Sequence, residues 1–193
     1  MQIIIIGNSA AGLSALESFR KYDKNSEVTL ISKEPGPAYS RVLLPYYLRK
    51  KLPLNKLFLN DKSYYKKLKA NTYFGNAVTK INEVAHYIEL DNGELLSYDK
   101  LLIATGAHPI KPPIQGLEGR GVFHMWTLND ALSLEPYYKE GNRVLILGSG
   151  FVSLQAAWSA VKRGMKVSVY ELASRIMPQV LDEKGAKALK KLI

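Results

Sequence analysis

One pattern occurs twice in this chain and limits what it can fold into: an apolar run, a turn of small residues, then helical spacing. "IIIIGNSAAG" occupies residues 3–12 and "VLILGSGFVS" occupies residues 144–153. Residues 2–6 are, apart from Gln2, apolar and β-branched, the mark of a strand buried on both faces. From Ser9 to about Tyr22, Leu13, Leu16 and Phe19 recur at helical spacing. "EVTLIS" (27–32) then reads as a second strand, which closes a β-α-β unit of about thirty residues. The pattern restarts late in the chain, with "RVLILG" as a strand, Phe151 to Arg163 as a helix and "KVSVYE" as a strand.

The turns carry the chemistry. In a dinucleotide-binding turn the first glycine permits the sharp bend and the second admits the pyrophosphate to the backbone. The third lets the helix pack closely on its strand. The helix N-terminus then offers open N–H groups and a positive dipole end to the phosphates. Gly7 and Gly12 meet the first and third demands, Ser9 is the smallest polar substitute at the second, and Ala10 and Ala11 keep the turn slim. In the later turn Gly148 and Gly150 meet the first two demands and Ser153 takes the packing position. A single imperfect turn is a weak signal, because many strand-to-helix turns carry glycine for backbone reasons alone. Two in the right context argue for two dinucleotides. The predicted class is therefore α/β, with two Rossmann-like three-layer nucleotide-binding units, the first carrying a small antiparallel β-meander and the second incomplete.

The residue ending the second strand of each unit sorts the ligands. Glu171 lies about twenty residues beyond the later glycines, where a carboxylate accepts from both ribose hydroxyls and repels a 2′-phosphate, favouring NAD over NADP. Arg175 nearby keeps a phosphate-binding alternative open. The equivalent in the first unit is Ser32, followed by Lys33 and Glu34.

Between the two units, "EPGPAYSRVLLPYYL" (34–48) begins as a loop, and "DKSYYKKLK" reads as a short amphipathic helix. From Tyr73 to Ser97, "AVTKI", "HYIEL" and "ELLSY", with an Asp91-Asn92-Gly93 turn, predict the antiparallel meander. "KLLIATG" (100–106) is a further strand ending at a glycine, and "HPIKPPIQGLEG" is a linker. Thr127 followed by Asp130 predicts a capping box, with the helix bent or ended at Pro136. The domain reading is 1–110 and 111–193.

Composition removes other classes. There is no cysteine, hence no disulfide framework, thiolate metal site or redox-active dithiol within these residues. The three histidines show no ligand spacing, so no metal site is expected. The apolar run at the N-terminus is too short for a signal peptide, and no run approaches a spanning length; a cytoplasmic protein without membrane association is expected. The formal charge of +10 is concentrated at 49–51, 62–69 and the C-terminal "KGAKALKKLI". It favours anionic partners or is simply a solvated surface, and no nucleic-acid motif accompanies it.

With these motifs in order, the chain resembles the FAD-dependent, NAD(P)H-oxidising pyridine nucleotide–disulfide oxidoreductases. "KEPGPAYSRVLLPYYL" and "LLIATGAHP" look most like the NADH:rubredoxin reductase and nitrite reductase large-subunit branch. The resemblance implies FAD in the first unit and NAD(H) in the second. It implies that Gly7, Ser9, Ala10, Ala11 and Gly12 hold the FAD pyrophosphate and that Ser32 and Lys33 lie at the adenosine. Val78 would meet the adenine through its backbone, Arg41 would face the flavin side, and Ala104, Thr105 and Gly106 would form a second FAD-contacting turn. Gly148, Gly150, Phe151, Val152, Glu171 and Arg175 would take NADH.

Members that reduce disulfides carry a cysteine where Val42 falls, so the implied chemistry runs from NADH to flavin and outward without a thiol relay. Trp126 stands where the family has an arginine. The implied acceptor is a protein such as rubredoxin or a reductase domain, or a small molecule. The family's returning FAD segment and interface domain are not in these 193 residues, which points to part of a longer chain or to a subunit completed by a second chain. Two functions follow: a flavin oxidoreductase or its N-terminal part, and a nucleotide-binding or assembly subunit with no turnover of its own.

Overall fold

A computed structural model describes residues 1–192; Ile193, the last residue of the basic C-terminal run, lies outside the described residues. The chain runs through β1 (Gln2–Ile6), α1 (Ala10–Tyr22), β2 (Glu27–Ser32), α2 (Leu44–Leu48), α3 (Lys62–Lys67) and β3 (Ala70–Phe74). It continues through β4 (Val78–Asn82), β5 (Tyr87–Leu90), β6 (Leu95–Ser97) and β7 (Lys100–Ile103). The remaining elements are α4 (Leu128–Leu134), β8 (Arg143–Leu147), α5 (Phe151–Lys162), β9 (Lys166–Tyr170) and α6 (Glu183–Lys190). These form two compact units, Met1–Ser40 with Phe58–His108, and Arg41–Leu57 with the chain from Pro109 onward.

In the first unit a four-stranded sheet has the order β3-β2-β1-β7, with every pair parallel. Its three layers follow from the alternation of side chains along β1. Ile5 faces a core shared with Leu13 and Leu16 of α1, Val28 and Leu30 of β2, and Tyr65 of α3. Ile4 and Ile6 face the opposite core, with Ile31, Ile88, Leu90 and Tyr98. That second core packs the antiparallel meander β4-β5-β6 against the sheet. The apolar run Ile3–Ile6 of β1 is thus required, since each face is covered.

One expectation needs correction. Tyr73 and Phe74 do not open the meander; they end β3, which pairs in parallel with β2 from Val28↔Ala70 to Ser32↔Phe74. As an edge strand β3 exposes Asn71 and Thr72, so "ANTYF" carries no buried apolar run to announce it.

Arg20 is 5% exposed, and its guanidinium donates to main-chain carbonyls. Nε reaches Leu68 O at 2.6 Å, Nη2 reaches Lys69 O at 2.8 Å and Nη1 reaches Ser26 O at 2.8 Å. The end of α1 is thereby tied to the turns before β2 and β3, and the buried charge is hydrogen-bonded as burial demands.

In the second unit β8 and β9 pair in parallel from Arg143↔Lys166 to Leu147↔Tyr170, with α5 crossing between them. Residues 41–57, inside the stretch expected to form the first domain, group with this second unit. Ser159 Oγ on α5 donates to Pro45 O of α2 at 3.1 Å, and Arg163 Nη1 donates to Leu48 O at 2.9 Å. The Thr127–Asp130 capping box is present at the start of α4, and Pro136 sits in the 3₁₀ turn Glu135–Tyr137 that ends it.

Candidate dinucleotide-binding sites

The helices of this chain divide by how their N-termini are treated. Those of α3, α4 and α6 are capped by the side chains of Asp61, Thr127 and Asp182. The short α2 has no side-chain cap but carries Pro45 in its first turn, and the two helices that follow glycine turns are also uncapped: Ser9 at α1 makes no side-chain cap bond, and Gly150 at α5 has no side chain to offer. Orphan N–H groups at a helix start need a partner, and an anion is the partner the dipole favours.

Glycines in the first turn are required by the fold. Gly7 lies at φ +118°, and a Cβ there would sit 2.2 Å from Ala104 O. A Cβ on Gly12 would meet Gly7 O at 1.8 Å. The turn after β1 therefore lies directly against Ala104, whose N–H continues the ladder by donating to Ile6 O at 2.8 Å. Thr105 and Gly106 follow, exposed, with Gly106 at φ +70°. The structure places the two glycine-bearing turns of this unit side by side.

Ser32 ends β2, buried, and its carbonyl accepts from Gly75 N at 2.8 Å and Asn76 N at 3.2 Å. Lys33 beyond it is exposed, and half-buried Val78 opens β4 against the meander-side core. Arg41 groups with the second unit, where Nη1 donates to Trp126 O at 2.7 Å and the guanidinium lies 5.5 Å from the Trp126 ring centre.

In the second unit the reasons for glycine differ. Gly148, at φ +92°, needs to be glycine for its backbone. Gly150 does not: its φ is −71°, and nothing lies within 4 Å of where a Cβ would stand. The fold leaves open space at the exposed mouth of α5, beside exposed Phe151 and Val152. A dinucleotide pyrophosphate fits this arrangement in shape and charge.

Glu171 sits just past β9 and is turned into the glycine turn. One carboxylate oxygen accepts from Ser149 N at 2.8 Å and Ser149 Oγ at 2.5 Å, and the other accepts from Ala173 N at 3.0 Å. These bonds, the one from Ala173 N first, hold the carboxyl below the ordinary glutamate range. A carboxylate has about four lone-pair sites, so about one remains for a ribose hydroxyl rather than the two expected. Ser149, fully buried, also accepts from Met177 N at 3.0 Å. Ser149 stands between the two glycines of the turn, and its buried hydroxyl has no local sequence signature.

Arg175 donates from Nε to Leu181 O at 3.1 Å and from Nη2 to Pro178 O at 3.0 Å, which folds the 173–182 loop. With Glu171, Ser174, Glu183, Lys187 and Lys190 it lines an open cavity of about 480 Å³.

The Glu171 bonds set a pH dependence. A depressed carboxyl adds stability at pH values above its unfolded range and loses it as pH falls through the folded value. The stability difference between wild type and Glu171→Gln is therefore expected to shrink as pH falls through and below the ordinary glutamate range, as thermal unfolding of both proteins checks.

The pyridine nucleotide-disulphide oxidoreductase family model matches residues 1–193. The chain belongs to this family. Its members are FAD-dependent enzymes that oxidise NAD(P)H. The assimilatory nitrate reductase electron transfer subunit of Bacillus subtilis (strain 168) is 32% identical over 97% of this chain and 24% of its own length. The NADH oxidase of Methanocaldococcus jannaschii is 32% identical over 100% of this chain and 45% of its own length. Among solved structures, the NAD-dependent persulfide reductase from A. fulgidus superposes with a TM-score of 0.93 at 30% identity, covering 100% of this chain and 38% of that one. A rubredoxin reductase and a nitrite reductase large subunit are among the relatives, so the branch read from the motifs is represented. This chain thus spans between 24% and 45% of the first of these curated relatives. Among the described residues no helix is long and apolar enough to cross a membrane.

Proposed function

We propose that this chain is the nucleotide-binding portion of a cytoplasmic flavin oxidoreductase, with FAD held by the 1–110 region and NAD(H) by the 111–193 region. The observation that carries this is the pair of uncapped helix starts after glycine turns, in a family-wide match. Open N–H groups at the start of α1 meet the FAD pyrophosphate across Gly7, Ser9, Ala10, Ala11 and Gly12. Ser32, Lys33 and Val78 border the adenosine, and Ala104, Thr105 and Gly106 close the other side. The start of α5, with Gly148, Gly150, Phe151 and Val152, takes the NADH pyrophosphate, and Glu171 accepts from the ribose.

Bound flavin supplies the hydride acceptor, while the chain supplies orientation and electrostatics. These residues contain no cysteine, and Val42 stands at the place of the family's thiol, so electrons leave without a thiol relay. The outgoing acceptor in this reading is a redox protein of the rubredoxin type or a reductase domain, for which a basic surface suits an acidic carrier.

Anaerobic NADH added to FAD-loaded protein tests the reading. Bleaching of the flavin bands is expected. Bands that persist with NADH bound would favour a nucleotide-binding subunit without turnover.

A further inference from the structure

Tyr65 is 1% exposed, sits on α3 and belongs to no nucleotide-binding motif, yet its hydroxyl reaches into the first glycine turn. It accepts from Ala38 N at 2.8 Å, which commits its single proton to Asn8 Oδ1 at 3.0 Å. That bond fixes which way the Asn8 amide points, and Nδ2 then donates to Gly36 O at 3.4 Å. Asn8 lies between Gly7 and Ser9, while Gly36 and Ala38 lie in the loop that follows Lys33. Tyr65 therefore joins the turn proposed for the pyrophosphate to the loop proposed for the adenosine. Its ring is held in place by an edge-on contact with Phe74 at 5.1 Å between centres.

We propose that Tyr65 and Asn8 form a latch that sets the spacing of the FAD cradle, which makes Tyr65 a positioning residue for FAD. The latch rests on the reading of the first unit as the FAD site. Its neighbour Tyr64 supplies a built-in control. Tyr64 Oη makes a comparable bond, to Glu17 Oε1 at 2.6 Å, but on the body of α1 rather than on either loop. Loss of its hydroxyl touches the helix and leaves the turn alone.

The test is FAD affinity by fluorescence titration of wild type, Tyr65→Phe, Asn8→Ala, the double variant and Tyr64→Phe, with thermal unfolding of each FAD-free protein. Tyr65→Phe and Asn8→Ala are each expected to weaken FAD binding about tenfold, since each leaves a polar partner of the cradle unpaired. The double variant is expected to be no weaker than the weaker single one, because both break one shared unit. Tyr64→Phe is expected to bind FAD as wild type does.

Wild-type affinity in Tyr65→Phe, or an equal loss in Tyr64→Phe, would overturn the latch while leaving the FAD reading intact. If Tyr65→Phe does not fold, Asn8→Ala decides at a half-buried position, and unchanged affinity there overturns the latch. A wild-type protein that takes up no FAD overturns the underlying reading, and the latch with it.

Discussion

Gly12→Ala is expected to destabilise the first unit by about 3 kcal/mol and to abolish FAD binding, although alanine is the better helix former. The propensity gain of about 1 kcal/mol is real at a helix position. Against it stands a methyl group 1.8 Å from Gly7 O, a main-chain atom that has little room to yield. The strand, the turn and α1 would have to separate, and overpacking of this kind costs at the upper end of the usual range. Urea unfolding of the two proteins measures the loss. A variant as stable as wild type would contradict the close strand–helix packing on which the cradle depends.

The second large effect has the opposite signature. Gly150→Val is expected to leave stability within about 1 kcal/mol, because an extended N-cap backbone accepts any residue and glycine there is no better than a modest cap. Beyond its two chain neighbours, nothing of the protein lies within 4 Å of the new Cβ. Yet the side chain would stand in the space the NADH pyrophosphate needs, and NADH affinity is expected to fall at least about tenfold. Calorimetric titration with NADH, beside thermal unfolding, separates the two quantities. Unchanged affinity would mean that the open space at Gly150 is not the phosphate position. Together the two variants distinguish a glycine kept by the fold from one kept by a ligand.

The contrast also marks what could be read from sequence. The two strand–turn–helix units were legible because each depends on neighbours within a few residues: buried runs, a sharp turn and helical spacing. The Thr127–Asp130 box was legible for the same reason, since both partners lie in one turn. What was not legible is set by distant contacts. β3 is a strand because β2 offers it a partner, and its own residues are half polar. Residues 41–57 follow the second unit because Ser159 and Arg163 bond the carbonyls of α2, more than a hundred residues away.

At the candidate sites the same division holds. Gly7, Gly12 and Gly148 announce themselves by spacing, whereas Asn8 and Ser149 occupy positions where the motif accepts any residue. Their roles come from partners brought in by the fold: Tyr65 from α3 for Asn8, and Glu171 from the end of β9 for Ser149. Glu171 was found by its spacing, but not that three of its lone-pair sites are already used. Arg175 was placed near the ligand by its distance from Glu171, and the fold gives two of its donors to loop carbonyls.

The measurement that tests the central claim most directly is FAD uptake by the purified 193-residue protein, read as the visible spectrum after excess FAD is removed by gel filtration. One flavin retained per chain, and none retained by Gly12→Ala, is the result expected of a cradle at the first glycine turn. A folded wild-type protein that emerges colourless would contradict it.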